Sequence, residues 1–345
     1  MAEHAHSTPP VRRALVIGDG GWGTALAMLL VRRGVETTMW SNSPQHVEEL
    51  YARRENRRYL PGVTLPAELK ITADPYSAAE GVEFALSAVP AQFLRGVAER
   101  FEDALAGQVP IVSATKGLEV ETLRRSSEIL LEVFGERPIA VLSGPSHAEE
   151  VARMKPASVV AASTSAEFAR VVQETLSSET FRVYTSDDPI GVEFGGALKN
   201  VIAVAAGISD GLELGDNAKA ALLTRGMVEI ARIGQARGAR VSTFFGLAGI
   251  GDLVTTCCSR HSRNRAVGEA IGRGETLEGV LQRMNMVAEG VWTTKALFGP
   301  EAELGGVSMP IATEVHAILF ERKDPREAVL DLMRRDPAPE MKGLS

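Results

Sequence analysis

The sequence predicts a doubly wound α/β domain built on a parallel sheet, followed by an all-helical domain. Three observations predict this. Short apolar runs alternate with helical stretches up to about residue 190. A glycine-rich turn joins the first apolar run to the first helical one. Beyond Asp187-Asp188-Pro189 the strand pattern stops and long helical patterns follow, punctuated by Gly and Pro. The length of 345 residues fits two domains at roughly 150 residues each.

The expected strands are Ala14–Gly18, Thr37–Trp40, Phe84–Val89, Ile111–Ala114, Ile139–Leu142, Ala157–Ala161 and Arg182–Tyr184. Most are β-branched or aliphatic and end in Gly, Ser, Pro or Thr. Strands without polar alternation are buried on both faces, which suits a parallel sheet covered by helices such as Gly23–Arg33 and Glu121–Phe134. In the second half the expected helices are Ile190–Asp210, Asn217–Ala236, Ser262–Arg273, Thr276–Met284, Val291–Glu303 and Ile311–Glu321. The domain reading is a disordered tail over 1–11, an α/β domain over 12–190, a helical domain over 191–333, and a charged, Pro-rich flexible tail over 334–345.

Composition narrows the function classes. Lys and Arg total 37 against 44 Asp and Glu, a net charge of −7. A general nucleic-acid binder usually carries a basic surplus, so none is expected here. No run of about 18 uninterrupted apolar residues occurs, so no membrane span is expected. The two cysteines, Cys257 and Cys258, are adjacent; neighbours rarely bridge, and small buried apolar residues are the expectation. A reducing cytoplasm fits that usage. His147, His261 and His316 have no ligand-like spacing, and no metal is assigned.

The first turn reads Ala14-Leu-Val-Ile-Gly-Asp-Gly-Gly-Trp-Gly-Thr-Ala-Leu-Ala27, with G-x-G-x-x-G at Gly18, Gly20 and Gly23. Gly18 permits the tight turn, Gly20 lets the backbone approach a diphosphate, and Gly23 lets helix and strand pack closely. The strand before it, the helix after it and the second strand at Thr37–Trp40 supply the context that a dinucleotide site needs. An acid at the end of that second strand would favour NAD, and a nearby Arg would favour NADP. The chain has Trp40-Ser-Asn-Ser43 there, with neither device; Arg53, Arg54, Arg57 and Arg58 follow further on and could reach a 2′-phosphate or simply face water.

Five later segments carry candidate chemistry. Gly195-Gly-Ala-Leu-Lys-Asn-Val-Ile-Ala203 sets Lys199 and Asn200 in an apolar helix, where burial would lower an ammonium pKa unless the side chain reaches the surface. Ser113-Ala-Thr-Lys-Gly-Leu-Glu119 and Ser143-Gly-Pro-Ser-His-Ala148 both follow strand ends, the second as a possible anion or carbonyl site at a helix start. Gly246-Leu-Ala-Gly-Ile-Gly-Asp252 ends in a carboxylate. Ser262, Arg263 and Asn264 suit a phosphate at a helix start, or merely cap that helix.

Taken together, these motifs resemble the bacterial biosynthetic glycerol-3-phosphate dehydrogenase [NAD(P)+] family. The resemblance runs from about Arg13 to Leu332, and includes Tyr59-Leu-Pro61, Gly249-Ile-Gly-Asp-Leu253 and Val287-Ala-Glu-Gly290 besides the segments above. It implies an N-terminal Rossmann domain and a C-terminal helical domain like that of 6-phosphogluconate dehydrogenase. It implies that Lys199 is the proton donor and acceptor, and that Lys116, Gly144, Ser146, Lys199, Asp252, Ser262, Arg263 and Asn264 match the family's contacts to dihydroxyacetone phosphate or sn-glycerol 3-phosphate. Gly18, Gly20, Gly21, Trp22, Gly23, Asn42, Lys116, Ala148, Arg263, Val287 and Glu289 match positions that hold NAD or NADP. A cytoplasmic homodimer that supplies the glycerol backbone of phospholipids is also implied.

The chain departs from the family at several places. Asp19 stands where Ala is usual and is expected to point away from the diphosphate. Gly21 replaces Ser. The family's basic or aromatic side chain near Ser41–Ser43 is missing, and Val291-Trp-Thr-Thr294 replaces a more polar stretch that lies over the cofactor. Two rivals stand beside this reading. A related dehydrogenase acting on a 3-hydroxy acid or ketopantoate would need a carboxylate site in place of Ser262-Arg263-Asn264. A non-catalytic nicotinamide-binding regulator would keep the glycine turn and lose the interior lysine.

Overall fold

The computed structural model describes residues 9–344, apart from 106, 285, 286, 301, 303 and 305. Of the tail expected over 1–11, residues 1–8 lie outside the described residues, while Val11 is already buried in the first core. The chain divides into two units. One runs to Thr115 and resumes over Ser126–Pro189; the other takes Lys116–Arg125 and everything from Ile190.

The first unit holds an eight-stranded sheet: β1 (Arg13–Ile17), β2 (Glu36–Trp40), β3 (Lys70–Thr72), β4 (Phe84–Ser87), β5 (Ile111–Ser113), β6 (Ile139–Ser143), β7 (Ala157–Ala162) and β8 (Phe181–Ser186). Their order is β3-β2-β1-β4-β5-β6-β7-β8. Alternate residues feed two cores. Ala14, Val16, Leu86, Val112 and Leu142 face the helices Gly21–Arg32 and Ala166–Leu176. Leu15, Ile17, Ala85 and Ile111 face Ala91–Glu99 and Ser126–Phe134. With helices on both faces, the central strands β4, β5 and β6 are apolar except for a terminal serine.

Strand order reverses beside β1, which pairs in parallel with β2 on one side and β4 on the other. That switch point, at the carboxyl ends of β1 and β4, is where open α/β sheets take ligands. Two features differ from expectation. The short edge strand β3 has no strong apolar run of its own and is recruited by β2, pairing Met39 with Ile71. The sheet is also not wholly parallel, since β6 and β7 run antiparallel. Their connection holds only the five-residue helix Ala148–Ala152, whereas a parallel return needs a longer crossover.

The second unit is helical, as expected, around a separate core that includes Phe194, Leu198, Val201, Ile230, Phe244, Leu253 and Val267. The helix Pro189–Gly211 is long and apolar enough to cross a bilayer by length and composition, but 89% of its apolar window is buried inside the protein. The helix expected over Val291–Glu303 spans Glu289–Leu297, with Val291, Thr293 and Thr294 buried in it; Glu303 lies outside the described residues.

Three boundaries need correction. The helix expected over Glu121–Phe134 begins at Ser126. The stretch before it, Lys116–Arg125, leaves the span expected for the first domain, 12–190, and joins the second unit. Leu118 and Leu123 are buried in the second core, and Arg125 pairs with the buried Glu193 at 2.7 Å, which explains the transfer. The C-terminal tail also has definite contacts: the carbonyls of Glu340 and Lys342 accept from Arg225 and Arg232.

Candidate active site

The glycine turn has the geometry its spacing demands. Gly18 sits at φ +112, a left-handed conformation that favours glycine, and its N–H donates to Trp40 O at 3.1 Å. A Cβ on Gly23 would lie 2.0 Å from Gly18 O, so only glycine lets the helix start this close to the strand. A Cβ on Gly20, by contrast, would meet nothing within 4 Å. Gly20 caps the helix Gly21–Arg32 without a side-chain bond, at the positive end of the helix dipole. The indole Nε1 of Trp22 is buried without a hydrogen-bond partner. A bare helix start beneath an open cradle, with an orphaned donor beside it, fits a diphosphate-linked cofactor.

The two departures at this turn have structural reasons. A Cβ on Gly21 would lie 2.6 Å from Tyr59 O, so a serine here would require that carbonyl to shift. Asp19 turns its carboxylate toward the end of β2. Its Oδ2 accepts from Ser41 Oγ and from His46 Nδ1, each at 2.6 Å. Burial alone would raise this carboxyl, but the hydrogen bonds from His46 and Ser41 outweigh it and hold Asp19 below the usual carboxylate range.

In the second unit the Pro189–Gly211 helix presents Lys199, which is 5% exposed. Its Nζ donates to Asp252 Oδ1 at 2.9 Å and to Thr256 Oγ at 2.6 Å. Lys116 Nζ donates to the other carboxylate oxygen, Oδ2, at 2.9 Å. The contact depends on small residues. A Cβ on Gly195, one turn before Lys199, would lie 2.5 Å from Ala248 O. A π-type turn over Leu247–Gly251 then delivers Asp252 to the start of the helix Asp252–Cys258.

Charge in this cluster is unequal. Two ammonium groups share one carboxylate, leaving one positive charge in excess. Burial would raise the Asp252 carboxyl, and Lys116 and Lys199 more than reverse that, so it stays ionised. Burial pulls Lys199 down to about 8; Lys116 adds to the fall, and Asp252 opposes it. Burial thus brings Lys199 within reach of proton exchange close to neutral pH, while Asp252 and Thr256 fix its position. The surface-reaching alternative for Lys199 is excluded by its burial.

A chain of amides holds the surroundings. Asn200 Nδ2 donates to Lys116 O at 3.0 Å, Asn264 Nδ2 donates to Asn200 Oδ1 at 2.8 Å, and Gly290 N–H donates to Asn264 Oδ1 at 2.8 Å. Close helix packing permits it, since a Cβ on Gly207 or Gly268 would strike the backbone of the opposing helix at 2.0 Å. Ser262 does cap the helix Arg263–Gly272, accepting from Arg265 N–H at 3.2 Å. Arg263 is exposed and donates to Val287 O at 3.0 Å, and Glu289 opens the next helix.

The remaining predicted residues lie in the first unit. Asn42 Oδ1 accepts from Arg100, whose guanidinium lies over the Trp40 ring. Gly144 sits at φ +134, with its carbonyl accepting from Ser146 Oγ at 2.8 Å. Ala148 opens a five-residue helix whose first turn already holds Glu149 and Glu150, so an anion site at that helix start is not favoured. Of the two cysteines, Cys257 is buried, and burial pushes its thiol up to about 12; Cys258 is exposed, against expectation.

Comparison with known proteins decides the family. The family described as NAD-dependent glycerol-3-phosphate dehydrogenase matches with its N-terminal part over residues 13–169 and its C-terminal part over 188–330. The chain belongs to this family. Among similar dehydrogenases, the glycerol-3-phosphate dehydrogenase [NAD(P)+] of Chlorobium phaeobacteroides (strain BS1) is 50% identical over 329 residues, 94% of this chain and 98% of that one. That of Geobacillus thermodenitrificans is 48% identical over 332 residues, 95% and 96% of the two chains. The solved glycerol-3-phosphate dehydrogenase of Coxiella burnetii has a TM-score of 0.90 and 40% identity, covering 94% of this chain and 99% of that one.

Sequence reasoning about this glycerol-3-phosphate dehydrogenase chain missed some residues that build the sites. Thr256 lies four residues after Asp252, on the same helix face, which was the available signal. Asn200 was visible beside Lys199 but had no assigned partner. His46 gave no signal, because its partner Asp19 lies 27 positions earlier.

Proposed function

We propose that this chain is an NAD(P)-dependent glycerol-3-phosphate dehydrogenase that interconverts dihydroxyacetone phosphate and sn-glycerol 3-phosphate. One observation carries the reading beyond family membership: a buried lysine with a pKa near neutrality, clamped by a carboxylate and a hydroxyl. The cofactor, when bound, supplies or accepts a hydride at its nicotinamide ring. As the substrate carbonyl carbon gains that hydride, its oxygen keeps the carbonyl electron pair as an alkoxide, and protonated Lys199 neutralises it by giving up one proton. In the reverse direction neutral Lys199 takes the hydroxyl proton. The excess positive charge of the Lys116–Lys199–Asp252 cluster favours the negative charge that develops on oxygen.

On this reading Gly18, Gly20, Gly21, Trp22 and Gly23 hold the diphosphate end of the cofactor, and Asn42 meets its adenosine half. Arg263 and Ser262 bind the substrate phosphate, with the spare N–H of the Asn264 amide, so that remote binding energy orients the reacting carbon. Gly144 and Ser146 are further substrate contacts, and Ala148, Val287 and Glu289 further cofactor contacts. A cytoplasmic homodimer feeding phospholipid synthesis belongs to the same reading.

The test is Lys199→Ala. Turnover of dihydroxyacetone phosphate with NADH and NADPH should fall by about 10²-fold or more, the usual weight of a positioned general acid. Cofactor binding, followed by nucleotide fluorescence, should persist. Near-normal turnover would remove Lys199 from the reaction.

A further inference from the structure

We infer that Asp19 selects the cofactor: its carboxylate, held at the end of β2 by Ser41 and His46, receives an adenosine ribose hydroxyl of NAD and repels the 2′-phosphate of NADP. The inference rests on the dinucleotide reading of the glycine turn. In NAD-binding folds of this kind an acid at the end of the second strand bonds the ribose. Here that strand ends in Trp40-Ser-Asn-Ser43, and the sequence offers no acid. The structure supplies one from another position.

The carboxylate is firmly built. Ser41 and His46 both bond to Oδ2, and Asn56 Nδ2 donates to the Asp19 backbone carbonyl at 2.7 Å, fixing the main chain beneath it. Among the described residues, no hydrogen bond from another residue reaches Oδ1. The side chain is 17% exposed, so the carboxylate is not sealed from a ligand. A ribose 2′-hydroxyl donates to a carboxylate; a 2′-phosphate has no proton to give at neutral pH and brings like charge against it.

Nearby cations do not reverse this. Arg100 is engaged with the Trp40 ring and Asn42. Arg53, Arg57 and Arg58 line a cavity of about 330 Å³ beside His46, but Glu49 and Glu55 line it too, and Glu55 binds Arg57 at 2.9 Å. Of those cations, Arg57 is held by Glu55, and Arg58 lies over the Tyr59 ring.

The test is titration of the full-length protein with NADH and with NADPH, followed by nucleotide fluorescence, beside Asp19→Asn and Asp19→Ala. The wild type should bind NADH about tenfold or more tightly than NADPH, the effect of one like-charge contact. Asp19→Asn keeps the shape and removes the charge; NADPH affinity should rise and close the gap by about tenfold. A gain in binding cannot arise from misfolding. Asp19→Ala should also close the gap, with some loss of NADH affinity. Equal affinities in the wild type, or a gap that Asp19→Asn leaves unchanged, would overturn the assignment and leave the dinucleotide reading standing. If neither nucleotide binds, that reading falls and the assignment falls with it.

Discussion

At the residue scale the behaviour of Lys199 follows from opposed terms. Desolvation favours the neutral amine, Lys116 pushes the same way, and Asp252 pulls back, which leaves the group at about 8 instead of 10.5. The sign of the pH dependence differs by direction. With Lys199 as the proposed general acid and base, reduction of dihydroxyacetone phosphate would use the ammonium form, so kcat/KM should hold below about pH 8 and fall above it. Oxidation of glycerol 3-phosphate uses the amine, so kcat/KM should rise toward pH 8 and level off. Initial rates in both directions across this range check it, and two profiles that bend the same way would show that another group governs the reaction. Much of this site was legible because a lysine among Ala, Leu, Val and Ile is costly without a reason. Its partners were less legible. Asp252 was visible as the end of a glycine-rich loop, but the pairing spans 53 positions, and no local pattern encodes that.

At the scale of elements, the site depends on how closely backbones approach. Gly195 faces Ala248 O across a gap with no room for a methyl group, and this closeness sets the distance between Lys199 and Asp252. Gly195→Ala should cost about 1–3 kcal/mol through overpacking and should lower kcat as the Asp252 segment is displaced. Gly96→Ala is the control. It lies in the helix Ala91–Glu99, where an added Cβ meets nothing within 4 Å, and should stabilise by about 0.4–1 kcal/mol with kcat unchanged. Thermal melts with matched kinetics separate the two; equal effects would show that the close approach is not what holds the pair. Strands and long helices were readable because apolar runs and helical periods are local signals. The strand β3 and the π-type turn before Asp252 were not, since each forms through neighbours that the sequence does not reveal.

At the scale of the whole molecule, the units are not the two halves of the chain. The sequence reading placed one boundary near 190, where strand patterns give way to helical ones; the second unit resumes at Ile190. It did not find the excursion of Lys116–Arg125, because ten residues inside an α/β pattern look like any other connection. The excursion matters chemically, since it brings Lys116 to Asp252, and mechanically, since Leu118 is fully buried in the second core and Arg125 pairs with Glu193. The second unit therefore cannot be made whole from residues after 190 alone. Leu118→Ala should remove about 2–5 kcal/mol, the usual cost of a cavity at a buried leucine. Hydrogen exchange locates the loss. Amides of Pro189–Gly211 and of the helices packed around it should exchange faster, while those of β1, β4 and β5 keep their protection, because their cores are separate clusters. Loss of protection in those strands at the same rate would mean that the excursion is a connection of the first unit after all, and that Lys116 is held from the sheet and not from the helical core.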